Sequence, residues 1–326
     1  MREPSSGTVY TNGVNIYYEV HGSGEPLLLI EGLGYSSWMW YKQVPVLSKS
    51  HKVIIFDNRG AGNTDKPDSE YTVELMAEDA AGLLGELGVE SAHVLGVSLG
   101  GYIAQELAIT RPEMVRNLVL VSTNSGPGKP ITGKSPFLNG FLRLWGFLPA
   151  AFDGARRPVR LEYAMNEEER LRYGLSLAFS EEYFKNHSEE IDRIIEWRLE
   201  NPQPEYAWRR QLMAGIGYDS RPRSGEIKSR TLLVNGAQDR IVSPESALDL
   251  SKRIADSTLV ILEGTGHLPF IERPEEFNAH VTGFLGDPET KAGKAESLDR
   301  KPSAIWTKVK ALLPTNGKRK SPGTEN

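Results

Sequence analysis

At 326 residues, with 39% hydrophobic and 25% charged residues, the chain is long enough to bury a large core and has the composition of a globular protein. No stretch approaches the roughly 18 consecutive apolar residues of a membrane-crossing helix, and residues 1–7 lack the apolar core of a secretory leader, so no integral membrane segment is expected and a cytoplasmic setting is. The lack of cysteine excludes disulfides, thiolate metal sites and a thiol nucleophile, so any nucleophile must be oxygen or nitrogen.

The net charge of −5 conceals an asymmetry. Of 38 Lys/Arg and 43 Asp/Glu, residues 291–326 hold nine and three, which leaves 29 against 40 for residues 1–290. An acidic body disfavours nucleic acid as a partner, because phosphate recognition needs a basic footprint.

Along the chain, short aliphatic runs alternate with longer amphipathic ones, the pattern of an α/β protein with a mostly parallel sheet covered by helices on both faces. Strands are predicted at 16–20, 27–30, 53–56, 93–97, 118–122, 232–234 and 259–262, with helices at 72–87, 99–109, 244–254 and 274–285. Pro244 after Ser243, with Glu245 in the first turn, is a helix-start signal. The rhythm stops after Ser122 and resumes at Thr231, so residues 127–228 are predicted to form an inserted helical cap between core segments 1–126 and 229–288. The stretch 136–149 inside it is strongly apolar, and Phe141 and Trp145 are candidates, with Trp38 and Leu268, for the wall of a substrate pocket. In the basic tail, 289–326, Ile305, Trp306, Val309, Leu312 and Leu313 follow helical spacing and Lys318-Arg319-Lys320 comes after them. A flexible tail or a short amphipathic helix on the acidic body is expected there, with weak association with a membrane surface as the alternative.

Three segments carry chemistry. The strand ending at Val97 runs into a helix through Gly96-Val97-Ser98-Leu99-Gly100, a G-x-S-x-G at a strand-to-helix junction, which is the form of a nucleophile elbow. A serine hydroxyl needs a base, and the base an orienting acid. Of the six histidines, His267 stands apart, in a Gly-rich loop at the carboxyl end of the strand 259–262, where open α/β sheets place ligands. Asp239 occupies the corresponding loop after 232–234 and precedes His267 by 28 residues. Oxyanion donors are then expected from the backbone N–H of Leu99 and of Leu33, the latter flanked by Gly32 and Gly34 after the buried run Leu27-Leu28-Leu29-Ile30.

These motifs, together with Trp38, the segment Phe56-Asp57-Asn58-Arg59-Gly60-Ala61-Gly62 and Gly266-His267-Leu268-Pro269, resemble the α/β-hydrolase superfamily over nearly all of residues 8–288. The resemblance implies a serine-nucleophile enzyme of the esterase and enol-lactonase branch that needs no metal or organic cofactor. A C–C bond hydrolase and a cofactor-free perhydrolase share the same triad. The chain departs from the family at Glu31-Gly32, where His-Gly is usual. A carboxylate there would oppose an oxyanion unless neutralised or turned away, so Glu31 is expected to pair with Arg59 or with another donor of the same loop and to fix Leu33. The sequence-level expectation is a hydrolase of a small, largely apolar ester or lactone, with a non-catalytic ligand-binding protein as the rival.

Overall fold

The run Leu27–Ile30 has no polar face, so its strand must be covered on both sides, and it lies near the middle of the sheet. This structure is a computed structural model that describes residues 4–126 and 166–286. The basic tail and the residues Phe141 and Trp145 lie outside the described residues.

Eight strands form one sheet: β1 (Ser5–Thr11), β2 (Val14–Gly22), β3 (Glu25–Ile30), β4 (His51–Phe56), β5 (Ala92–Val97), β6 (Val115–Val121), β7 (Arg230–Gly236) and β8 (Ser257–Leu262). Their spatial order is β1-β2-β4-β3-β5-β6-β7-β8. The pairs β1–β2 and β2–β4 are antiparallel, and from β4 to β8 every neighbouring pair is parallel. All six parallel strands therefore present their carboxyl ends at one edge, where the loops carrying Leu33, Ser98, Asp239 and His267 emerge.

The seven predicted strands are present with ends shifted by a few residues, and β1 is additional. Its sequence, Ser-Ser-Gly-Thr-Val-Tyr-Thr, lies on the open edge and is mostly exposed, so it lacks the aliphatic run that marks a buried strand. The signal that could have found it is Asn12-Gly13, the two-residue turn to β2, where both residues take positive φ, 47° and 79°.

The helix Val73–Glu86 begins at Thr72, whose side chain accepts the N–H of Leu75, and Pro244–Arg253 begins at Ser243, which accepts the N–H of Ser246. Two apolar clusters, one on each face of the sheet, complete the core. Between β6 and β7 the described residues include the helices Glu167–Ala178, Glu181–Asn186, Ser188–Glu200 and Glu205–Gly217. Lys42 ties them to the core, reaching Glu190 at 2.6 Å and the carbonyl of Ile271 at 3.0 Å, and the hydroxyls of Tyr41 and Tyr183 donate to the same Glu190 carboxylate.

Candidate active site

Ser98 sits between β5 and the helix Leu99–Thr110 at φ 54° and ψ −114°, a conformation that an L-residue holds only when its surroundings force it. Close approach provides that force. A Cβ on Gly100 would come within 2.5 Å of the carbonyl oxygen of Glu31, so only glycine lets the new helix lie against the end of β3. The backbone N–H of Ser98 donates to Val121 at 2.9 Å, and Thr123 Oγ1 donates to the carbonyl of Ser98 at 3.0 Å. Leu99 is the first residue of that helix, so its N–H has no carbonyl partner within it.

Across the sheet, Asp239 and His267 meet. His267 Nδ1 lies 2.8 Å from Asp239 Oδ2, with both side chains buried. The other carboxylate oxygen, Oδ1, accepts the N–H groups of Ile241 at 2.8 Å and Val242 at 2.9 Å. Those two bonds fix the rotation of the carboxylate, and the carboxylate fixes the ring. With Nδ1 facing Asp239, Nε2 is the nitrogen left for chemistry.

The opening loop after β3 runs beside Ser98: a Cβ on Gly32 would be 3.4 Å from Ser98 Cβ, which places Leu33 next to the elbow. Glu31 is fully buried, and the predicted pairing with Arg59 is not found. Arg59 instead engages Asp79 of the helix Val73–Glu86, with Nη2 2.5 Å from Asp79 Oδ1 and Nε on the other oxygen, and it donates to the carbonyl of Asn12 at 3.3 Å. The alternative named for Glu31, a donor of the same loop, is what occurs. Its Oε1 accepts the backbone N–H of Asn58 at 2.5 Å, and Asn58 Nδ2 donates back to the carbonyl of Glu31 at 3.2 Å. The neighbouring ends of β3 and β4 are thereby stapled together.

Glu31 Oε2 is buried and has no hydrogen-bond partner. Burial, reinforced by the charge of Asp57, raises the carboxyl of Glu31 well above the ordinary range. Asp57 is raised too, by burial, against the N–H bonds it accepts from Asn63 and Ser37, each at 2.7 Å. The folded chain therefore holds the Glu31 proton to higher pH than the unfolded chain does. Stability linked to that proton is fully present below the ordinary carboxylate range and falls as pH rises toward the folded value, by about 1.4 kcal/mol per pH unit at most. Glu31→Gln, which keeps an acceptor for Asn58 and cannot ionise, removes this loss. The thermal midpoint of Glu31→Gln relative to wild type is expected to rise between about pH 5 and pH 8. A difference that stays flat across that range would show Glu31 ionised throughout.

Sequence reasoning missed Glu272. Its Oε1 accepts the N–H of Gly266 at 2.7 Å, while Oε2 accepts the N–H of Ser180 at 3.1 Å and its hydroxyl at 2.5 Å. Burial first, and the charge of Asp239 as well, raise its carboxyl. The N–H of His267 donates to the carbonyl of Ala178 at 2.6 Å, and Arg240, beside Asp239, donates to the carbonyls of Ser176 and Phe179. No local pattern announces this, because the partners lie 92 residues apart in sequence.

Of the predicted wall, Trp38 belongs to a row of rings, 5.5 Å from Tyr35 and 5.4 Å from Trp197, which in turn meets Tyr41 at 5.0 Å. Leu268 is buried in the apolar cluster that holds Phe270 and Ile271. Among the described residues no group of three or more His, Asp or Glu is placed to hold a metal ion, and no helix is long and apolar enough to cross a membrane.

Residues 25–274 match the family model described as alpha/beta hydrolase fold. The chain is similar to a putative carbamate hydrolase, RutD, of Azorhizobium caulinodans, 27% identical over 280 residues that are 85% of this chain and 98% of the relative. It is 30% identical to a 2-hydroxymuconate semialdehyde hydrolase of a Pseudomonas species, over 86% of this chain and 93% of that one. Among solved structures, a thermophilic esterase from Thermogutta terrifontis superposes with a TM-score of 0.70 at 27% identity, covering 87% of this chain and 98% of the other. The sheet order, the strand-to-helix junction at Ser98 and these matches agree: the chain belongs to the α/β-hydrolase superfamily.

Proposed function

We propose that the protein is a serine hydrolase of a small, largely apolar carboxylic ester or lactone, working through an acyl-enzyme. The observation that carries the reading is the buried 2.8 Å contact between His267 Nδ1 and Asp239 Oδ2, on the same sheet edge as the strained Ser98. Ser98 Oγ attacks the carbonyl carbon as His267 Nε2 takes its proton, and the oxyanion is received by the N–H groups of Leu33 and Leu99. The intermediate collapses with His267 returning the proton to the leaving oxygen, and water then repeats the sequence to free the acid. Asp239 holds the ring and stabilises the imidazolium. These steps need no metal or organic cofactor. The helices between Glu167 and Gly217 act as a cap, and Trp197 with Trp38 contributes to the apolar wall.

A charged carboxylate at Glu31, opposing an oxyanion, would favour a non-catalytic ligand-binding protein. The Glu31 carboxyl is held by the Asn58 N–H and burial disfavours its charged form, which weakens that objection. The similar proteins named above act on a carbamate, a semialdehyde and an ester, which is why the bond cleaved has to be found by assay.

A fluorophosphonate probe is expected to label the wild-type chain covalently and to leave Ser98→Ala unlabelled. Folded wild-type protein that resists labelling would return the reading to a ligand-binding protein. A panel of acyl esters and lactones then separates esterase from lactonase.

A further inference from the structure

On the helix Ser188–Glu200, Ile191, Ile194 and Ile195 form the buried face. Arg198, four residues after Ile194 and seven after Ile191, continues that face, so an arginine stands where the helical pattern calls for an apolar residue. Its guanidinium lies 5.1 Å from the ring centroid of Tyr35. A Cβ on Gly34, whose φ is +78°, would be 2.8 Å from Arg198 Nη2, so the charge rests directly on the loop that carries Leu33. Solvent still reaches part of the side chain, yet burial disfavours its charged form.

Three other inward cations have an acid: Arg59 has Asp79, Arg223 has Glu106 and Lys42 has Glu190. Arg198 has the hydroxyl and ring of Tyr35, and among the described residues the one carboxylate whose charge acts on it is exposed Glu167, which forms no ion pair with it. A desolvated guanidinium without an acid is costly unless an anion completes it. Its planar fork matches a carboxylate, and a single cation among aromatic rings suits a singly charged oxyacid better than a phosphate dianion.

We propose that Arg198 binds a carboxylate of the substrate, so that the molecule cleaved is an ester or lactone carrying a second, ionised acid group. Gly32 lies against Ser98 and Gly34 against Arg198, and two residues of backbone span at most about 7 Å. Ser98 and Arg198 thus flank the same short loop, and the half-ester of a short dicarboxylic acid is the simplest molecule that presents both an ester and a carboxylate to it. This substrate class rests on the hydrolase reading for what Ser98 does, whereas binding at Arg198 does not.

Calorimetric titration of full-length Ser98→Ala with monomethyl glutarate and with dimethyl glutarate tests it. The monoanion is expected to bind about 10- to 100-fold tighter than the neutral diester, the range for charge-assisted hydrogen bonds. Adding Arg198→Met should bring the ratio near one, and Arg198→Lys, which keeps the charge and loses the fork, should leave an intermediate ratio. If Arg198→Met fails to fold, Arg198→Lys carries the comparison. Equal affinities in Ser98→Ala, no binding of either ester, a preference that survives substitution of Arg198, or inorganic phosphate binding more tightly than glutarate would each overturn the assignment. Wild-type turnover is read separately: monoester bound through Arg198 and never hydrolysed would refute the hydrolase reading and leave this one standing.

Discussion

Replacing Ser98 or His267 by alanine is expected to lower kcat about 10⁴-fold or more on the true substrate, because the two act as one unit, with little change in thermal midpoint for Ser98→Ala. Losing Ser98 removes the bond-forming oxygen. Losing His267 leaves that oxygen protonated and also frees a buried carboxylate, so His267→Ala should be the less stable of the two. The double variant should cost scarcely more than either single one, since each already disables the same step. Single-turnover and steady-state rates on all three proteins provide the measurement. Near-native turnover by Ser98→Ala would end the serine mechanism, and additive losses would show that the two residues work in separate steps.

Asp239→Asn is expected to cost about 10⁴-fold in kcat while the fold stays close to native. The reason lies in which oxygen does what. Oδ1 accepts two backbone N–H groups, from Ile241 and Val242, and an amide nitrogen cannot take that place without leaving both donors unpaired. The amide must therefore turn its NH₂ toward His267 Nδ1, where Oδ2 now lies 2.8 Å away. That choice forces the proton of the neutral ring onto Nε2, and a protonated Nε2 cannot take the proton of Ser98. The rate should fall at every pH at which the ring is neutral, while ester binding stays near wild type. A loss of less than about 100-fold would show that the ring is oriented by something other than this carboxylate.

The residues of the candidate site were more legible in the sequence than their supports. Ser98, Asp239 and His267 each sit at the end of an aliphatic strand, and local pattern alone locates such ends. What the strands bring together afterwards is not local. Arg59 and Glu31 do leave adjacent strands, β4 and β3, as the usual order of the fold implies. Arg59 nonetheless turns the other way, to Asp79 in the middle of a helix, because that acid offers both oxygens to a planar fork. Glu31 could then settle on a backbone N–H. Glu272 had no signal at all, since its meaning comes from Ser180 and Gly266, which the chain reaches only after folding. The edge strand β1 was missed for the opposite reason: its turn is written plainly in Asn12-Gly13, while the strand itself is too exposed to show an apolar pattern.

The bonding of the turn Ala178-Phe179-Ser180 bears on how this protein could be re-engineered. That turn belongs by sequence to the inserted segment, yet its carbonyls and N–H groups are partners of His267, Arg240 and Glu272. A chimaera that imports a foreign insert and places its junction after Ser180 would leave the buried Glu272 carboxylate without the Ser180 N–H and hydroxyl, and would loosen the loop that carries His267. A junction placed before Ser176 keeps all of these bonds and varies only the sequence upstream. The boundary at which this insert can be exchanged is thus set by hydrogen bonding, several residues inside the insert.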